Sequence, residues 1–391
     1  MANRPISPTN RPKILWFAFK LFDKSVDKAT WLEMINELST NFEVRLLTLY
    51  RNAPIPLVAG GFPVDYVPRI GSGIIGKAVL RITALWSLFK AVLEFRPDAV
   101  IINGEPPYLL LKFIRLLQDK CRFVTVFDVR TLPVGDNQAR GNSVLKKSLA
   151  LAATQFSGIT YITLEMERHC IAEFQLPEHK SAIWTSGVNA EKFTRYPIPE
   201  EETFRLIYHG GILSRSRGLL SLVQAMALVK DIPVQLHLVS SLREKEVMEE
   251  LVRLDLYDRV ILHETVPNSQ IPEMINHCHA GIIPLPDFKG WNTSSPIKLF
   301  EYLSCGRPVI VTPIPAHTNV LKGSPFAFFS AGDDPLSLAA SIREAYAERK
   351  RFPELSVLAR NQAISFHTWK SQADVLGSFI ATLIKVKKLQ S

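Results

Sequence analysis

Ser294-Ser295-Pro296-Ile297-Lys298-Leu299-Phe300-Glu301-Tyr302-Leu303-Ser304-Cys305-Gly306-Arg307-Pro308-Val309-Ile310-Val311-Thr312 holds a helix and the strand that follows it. A polar turn opens the helix, which bears one base, Lys298, and one acid, Glu301. Gly306 supplies the left-handed backbone with which helices close. Pro308 prevents continuation, and Val309-Ile310-Val311 reads as a buried strand. Core packing has no use for a lysine and a glutamate one turn apart on one helix face; the plain alternative is a surface salt bridge of little worth. A polar helix start beside the carboxyl ends of parallel strands is where α/β proteins hold phosphorylated ligands.

The same rhythm runs along the whole chain. Apolar strand patterns fall at residues 14–19, 44–49, 64–68, 99–103, 123–127, 159–163 and 182–184, then at 205–208, 235–239, 260–262, 281–285, 309–312 and 326–329. Helical patterns lie between them at 30–38, 77–95, 109–118, 219–230, 244–254, 271–278, 298–304 and 337–349. Strand–helix alternation with short connections predicts parallel sheets covered on both faces. The 391 residues exceed one ordinary core. The expected architecture is two Rossmann-like domains facing across a cleft. Their bounds are 1–190 and 204–365, with a proline-rich acidic linker at 191–203 and a final crossover helix at 366–391 returning to the first domain.

Apolar residues make up 47% and charged residues 21%, a globular composition that excludes disorder. Cys121, Cys170, Cys278 and Cys305 show no paired spacing, which argues against a disulfide framework or zinc site and suits a reducing compartment. The apolar run at 14–19 is short for a signal peptide, and no stretch approaches the ~18 apolar residues of a spanning helix. A cytoplasmic location is the expectation. Of the +9 formal charge, +7 lies in residues 1–190 and +2 in the remainder. A basic front half suits an anionic partner: a phosphorylated acceptor or an anionic membrane surface. Nucleic acid is not expected, because the basic residues show no interleaved aromatic platform.

A second phosphate-type signal is Tyr208-His-Gly-Gly-Ile-Leu-Ser-Arg-Ser-Arg-Gly218, a strand end, a glycine turn and a helix start. Gly210, Gly211 and Gly218 allow close backbone approach, while Arg215 and Arg217 offer positive charge. Together with the Ser294–Thr312 segment, it resembles the nucleotide-sugar site of GT-B glycosyltransferases, group 1 or family 4. Thr185-Ser-Gly-Val-Asn-Ala-Glu-Lys-Phe193 is similar to the turn that ends the first domain in that family, and Phe366-His-Thr-Trp-Lys370 to the element before its last helix.

The resemblance implies a retaining transfer from a nucleoside-diphosphate sugar to a glycan or lipid-linked acceptor, without a metal or other cofactor. It implies that Arg217, helped by Arg215 and the Gly210–Gly218 loop, stabilises the leaving diphosphate. Glu301 would hold the ribose, backbone groups near Thr265 and Val266 the base, and Ser294, Ser295, Pro296 and Lys298 the sugar or phosphate. The family's upstream glutamate falls at Thr293, and its loop arginine at Gly211. Asp128-Val-Arg130 is similar to a D-x-R stretch of some relatives, with Asp128 orienting or deprotonating the acceptor hydroxyl and Arg130 binding its phosphate.

Other motifs carry less. Gly71-Ser-Gly-Ile-Ile-Gly76 matches a dinucleotide fingerprint, but it follows the third strand pattern and Pro68 interrupts its approach. It underlies the alternative of an NAD(P)-dependent oxidoreductase. His277-Cys278-His279 cannot converge on a metal, since adjacent helical residues diverge. The 77–95 helix is apolar on nearly every face; it is either buried between layers or leans on anionic lipid. The absent glutamate and arginine support a further alternative, a catalytically inactive relative that binds sugar nucleotides or assembles with a partner.

Overall fold

The computed structural model describes residues 11–22, 27–50, 58–59, 62–68, 73–133 and 138–390. The chain divides into two compact units, residues 1–185 with 369–391 and residues 186–368. The first contains β1 (Lys13–Leu21), β2 (Glu43–Tyr50), β3 (Val58–Ala59), β4 (Phe62–Pro68), β5 (Ala99–Gly104), β6 (Val124–Val129), β7 (Gly158–Tyr161) and β8 (Ser181–Ile183). Their order is β3-β4-β2-β1-β5-β6-β7-β8, parallel except for the β3–β4 pair. The second contains β9 (Phe204–His209), β10 (Val234–Val239), β11 (Val260–His263), β12 (Ala280–Ile283), β13 (Val309–Val311) and β14 (Ala327–Phe329). All are parallel, in the order β11-β10-β9-β12-β13-β14.

Both sheets are doubly wound, with chain direction reversing between β1 and β5 and between β9 and β12. At such switch points the loops diverge and leave a crevice beyond the carboxyl ends of the strands. The central strands are apolar because helices cover both faces: Ile14, Leu15, Trp16, Phe17, Leu206, Ile207, Ile282 and Ile310 are wholly buried. Gly306 adopts φ +66° at the end of the helix Ile297–Ser304, as its position requires. Gly187, by contrast, has no positive φ.

The helix Trp369–Leu389 belongs to the first unit. Its Gly377 lies against Phe42, its Gln372 accepts the Thr185 amide at 2.8 Å, and Lys387 donates to the Phe123 carbonyl at 2.6 Å. The expected linker 191–203 is not a loose connection but part of the second unit. Arg307, wholly buried, donates to the carbonyls of Tyr196 and Pro197, and Arg360 to that of Ala190. One buried and one half-buried guanidinium group need carbonyl acceptors, and this segment supplies them.

The structure bears on two alternatives left open by the sequence and adds five elements to its patterns. The fingerprint glycines Gly73 and Gly76 lie in the helix Gly73–Phe95 that follows β4, away from the β1/β5 switch point where a dinucleotide would sit; Gly71 and Ser72 fall outside the described residues. That helix is not fully buried, for Ile75, Ile82, Trp86 and Leu93 stand 78, 67, 66 and 49% exposed. Helices Gln138–Gln155, Leu164–Phe174, Pro315–Leu321 and Phe352–Phe366, and the edge strand β3, have no counterpart in the sequence patterns above. No helix among the described residues is long and apolar enough to cross a membrane.

Candidate nucleotide-sugar site

The second unit gathers its unusual side chains at the β9/β12 switch point. β9 ends in His209, and Gly210 and Gly211 lead through Ser214 into a turn, Arg215–Arg217, before the helix Leu219–Leu228. Gly218 joins turn to helix at φ +76°, and a Cβ there would lie 1.7 Å from the Pro284 carbonyl oxygen just after β12. Only glycine permits this approach of the loop to the neighbouring strand end.

Glu301 comes from the helix Ile297–Ser304 and is 6% exposed. Its Oε2 lies 3.2 Å from His209 Nε2, out of line for a hydrogen bond. The His209 amide donates to the Tyr302 hydroxyl at 3.2 Å, which locks the strand end to the helix. Lys298, one turn before Glu301, has its Nζ 3.7 Å from the centroid of the Tyr208 ring. Burial lowers its pKa, opposed by Tyr208 and Glu301. His317, at the start of the helix Pro315–Leu321, is wholly buried and hydrogen-bonds the Thr312 carbonyl through Nδ1 at 2.8 Å. Burial depresses its pKa to about 4, so it is neutral with Nε2 as an acceptor.

The structure sorts the remaining candidates. Arg217 lies over the Trp291 ring at 4.9 Å, and Trp291 Nε1 donates to the Ser216 carbonyl at 2.7 Å. Arg215 turns to Glu246 at 3.0 Å and is a surface ion pair rather than a free cation for a ligand. The Thr265 amide and hydroxyl are both engaged by Ser241, at 2.9 and 2.8 Å; its neighbour Val266 packs on the core. Ser294 closes a turn through its amide and hydroxyl to the Trp291 carbonyl, so its amide is not open to a sugar. Ser295 Oγ accepts the Ser186 amide at 3.0 Å, and Pro296 begins the helix. Thr293 is buried, with its hydroxyl donating to the Lys289 carbonyl at 3.2 Å. Tyr208, His209 and His317 were not singled out as ligand-facing residues, although the first two stand inside the glycine-loop motif.

In the first unit a pocket at the β1/β5 switch point is lined by Lys20, Asn103, Glu105, Arg130, Thr131 and Ser148. Asp128 also borders it but is 2% exposed and accepts hydrogen bonds from Thr160, Trp184 Nε1 and Asn103 at 2.8, 3.0 and 3.0 Å. Burial raises its pKa, while Arg130 and those three donors lower it. Its oxygens are thus committed to the wall, which corrects the expectation of a base facing an acceptor. Arg130 stacks on Trp184 at 3.6 Å and donates to the Trp184 carbonyl at 2.6 Å. It too holds the pocket in shape. His277 is exposed while Cys278 and His279 are buried, so the trio does not converge.

Residues 203–348 match the family described as "Glycosyl transferases group 1". Over that stretch the second unit is similar to group 1 glycosyltransferases. The fold of the chain is GT-B. No protein of curated function matches the sequence. Among solved structures the fold is similar to sucrose-phosphate synthase (tll1590) from Thermosynechococcus elongatus, with 14% identity, 96% of this chain and 100% of that chain covered, and a TM-score of 0.75. It is similar to Anabaena Alr3699/HepE in complex with UDP and glucose, with 14% identity, 94% and 99% covered, and a TM-score of 0.73. It is also similar to WaaG, a glycosyltransferase involved in lipopolysaccharide biosynthesis, with 13% identity, 94% and 99% covered, and a TM-score of 0.68. The matched stretch contains the Glu301–His209 pair, Lys298, Arg217 and the Gly210–Gly218 loop.

Proposed function

We propose that this glycosyltransferase is a retaining enzyme that moves a sugar from a nucleoside-diphosphate sugar to a hydroxyl of a glycan or lipid-linked acceptor. The setting is synthesis of cell-surface polysaccharide or glycolipid, in the cytoplasm or on the inner face of the membrane, without a metal. The observation that carries it is Glu301, a carboxylate buried at a sheet switch point with His209 Nε2 3.2 Å away. Two adjacent ribose hydroxyls are donors that suit such a group. The glycine loop brings backbone close to a diphosphate, and Arg217 adds charge as the bond to the sugar breaks. The acceptor oxygen forms the new bond, and its proton passes to the departing diphosphate. The first-unit pocket with Lys20, Glu105 and Ser148 suits the acceptor. Support for a uridine nucleotide comes from the HepE complex with UDP, and for a cell-envelope acceptor from WaaG.

The test is release of nucleoside diphosphate from UDP-, GDP-, ADP- and TDP-sugars in the presence of lipid-linked and oligosaccharide acceptors. Turnover with one donor, retained anomeric configuration and loss in Glu301→Ala would support the reading. A second reading, a relative that binds but does not transfer, is favoured by the absence of an acid at position 293. Tight nucleotide binding without turnover on any acceptor would choose it.

A further inference from the structure

The pocket of the first unit lies beyond the carboxyl ends of β1 and β5, where α/β sheets commonly hold phosphate. A phosphate site is built from backbone amides and cations without partners. Here the loop after β5 reads Glu105-Pro106-Pro107, a carboxylate and two residues with no N–H. Lys20 is ion-paired with Asp27, and Gly104, at φ +98°, closes against its stem; a Cβ there would lie 3.2 Å from Lys20 Cγ. Arg130 stacks on Trp184 and donates to the carbonyl of that residue. Asp27, Glu105 and Asp128 set three carboxyl groups against these two cations. The basic character of the front half therefore does not extend to its pocket. What the pocket offers instead is acceptors and an apolar side. Asn103, 1% exposed, gives its amide nitrogen to Asp128 at 3.0 Å, which leaves Oδ1 buried without a partner. An orphaned oxygen is costly until a donor reaches it. Glu105 is exposed, Ser148 adds a hydroxyl, and Val144 and Leu145 form the apolar side.

We propose that this pocket takes an uncharged sugar residue, whose hydroxyls donate to Asn103 Oδ1 and Glu105, and that it turns phosphate away. Sugar hydroxyls are the donors that both oxygens lack, and the C–H face of a sugar ring suits Val144 and Leu145. The proposal rests on the glycosyltransferase reading and narrows its acceptor to the end of a glycan already begun, rather than a lipid phosphate or a sugar phosphate. Such an acceptor is the product of an earlier glycosyl transfer, so the enzyme extends a chain and does not start one. Asn103 and Glu105 select the acceptor through hydrogen bonds. The Lys20–Asp27 pair selects it by withholding a cation from any phosphate.

The experiment is saturation-transfer NMR titration of the full chain with the methyl glycosides of glucose, galactose, mannose and N-acetylglucosamine, each paired with the corresponding hexose 6-phosphate. Wild type is compared with Asn103→Leu, Glu105→Gln and Asp27→Asn. The expected result is at least one methyl glycoside bound by wild type about 10-fold or more tightly than its 6-phosphate partner. Glu105→Gln removes the repelling charge, Asp27→Asn frees Lys20, and each narrows that gap by strengthening the phosphate. Asn103→Leu weakens the glycoside about 10-fold. The Glu105 and Asp27 variants lie outside the core and carry the test if Asn103→Leu does not fold. A 6-phosphate bound more tightly than its glycoside by wild type overturns the proposal. So does a gap unmoved in both Glu105→Gln and Asp27→Asn, or the absence of glycoside binding. A chain that binds a glycoside but no UDP-, GDP-, ADP- or TDP-sugar would overturn the glycosyltransferase reading and leave the preference of the pocket standing.

Discussion

Arg307 and His317 show how this domain uses polar side chains inside its core. Arg307 has no carboxylate partner among its hydrogen bonds; it satisfies the carbonyls of Tyr196, Pro197 and Asn276 and the Asn276 side chain. Removing it orphans several acceptors, so Arg307→Met should destabilise the fold by about 3 kcal/mol, read by urea unfolding. A loss within error of zero would mean that water replaces the guanidinium. His317 makes a pH prediction. Its folded pKa of about 4 lies below its unfolded value of 6.5, so the unfolded chain binds the proton first. Stability is fully present above pH ~6.5 and falls as pH drops toward 4, by on the order of 3 kcal/mol for this residue. His237, His279 and His367, also in the second unit, are each lowered to about 4 by burial and act in the same direction. Acid should therefore unfold the second unit, and His317→Gln should flatten the melting-temperature profile between pH 6.5 and 4. An unaltered profile would contradict the assignment. Glu301 and Arg217 stood out in the sequence because charge in an apolar strand–helix unit is conspicuous. Tyr208 and His317 did not, since an aromatic residue at a strand end and a lone histidine are ordinary core residues until their unpaired atoms are seen together. Asp128 stood out for the wrong reason: its donors come from β5, β7 and the residue after β8, and no local pattern reveals them.

Among elements, every strand but β3 was legible, because both sheets are buried on two faces and write themselves as apolar runs. β3 has only two residues, too few for any period. The helices Gln138–Gln155 and Leu164–Phe174 escaped because lysines, glutamates and threonines break up their apolar positions. The turn into the helix Leu219–Leu228 supplies a test at this level. Gly218→Ala combines a strained φ of +76° with a Cβ 1.7 Å from the Pro284 carbonyl. It should cost about 2 kcal/mol or more and weaken nucleotide affinity, since the loop must retreat from β12. Full affinity in the alanine variant would place the ligand elsewhere. The helix Gly73–Phe95 makes a separate prediction. Its exposed Ile75, Ile82, Trp86 and Leu93 share the helix with Lys77, Arg81 and Lys90, a combination that favours anionic lipid. The chain should sediment with anionic liposomes at low salt, less so at high salt and less in Trp86→Asp. No sedimentation at low salt would remove the membrane surface from its partners.

The whole molecule is two doubly wound units of differing charge, +10 in residues 1–185 with 369–391 and −1 in residues 186–368. Strand order was not readable from sequence, yet it decides where the site lies: the first-unit pocket and the Glu301 cluster both sit where chain direction reverses. Unit boundaries also needed the structure, because the segment that reads as a linker is anchored by Arg307 and Arg360, residues far from it in sequence. The central claim is that the second unit holds a sugar nucleotide through Glu301. A thermal-shift panel of UDP-, GDP-, ADP- and TDP-sugars on wild type and Glu301→Ala tests it most directly. One nucleotide should raise the melting temperature of wild type and leave that of the variant unmoved. No shift with any donor, or the same shift in both proteins, would contradict it.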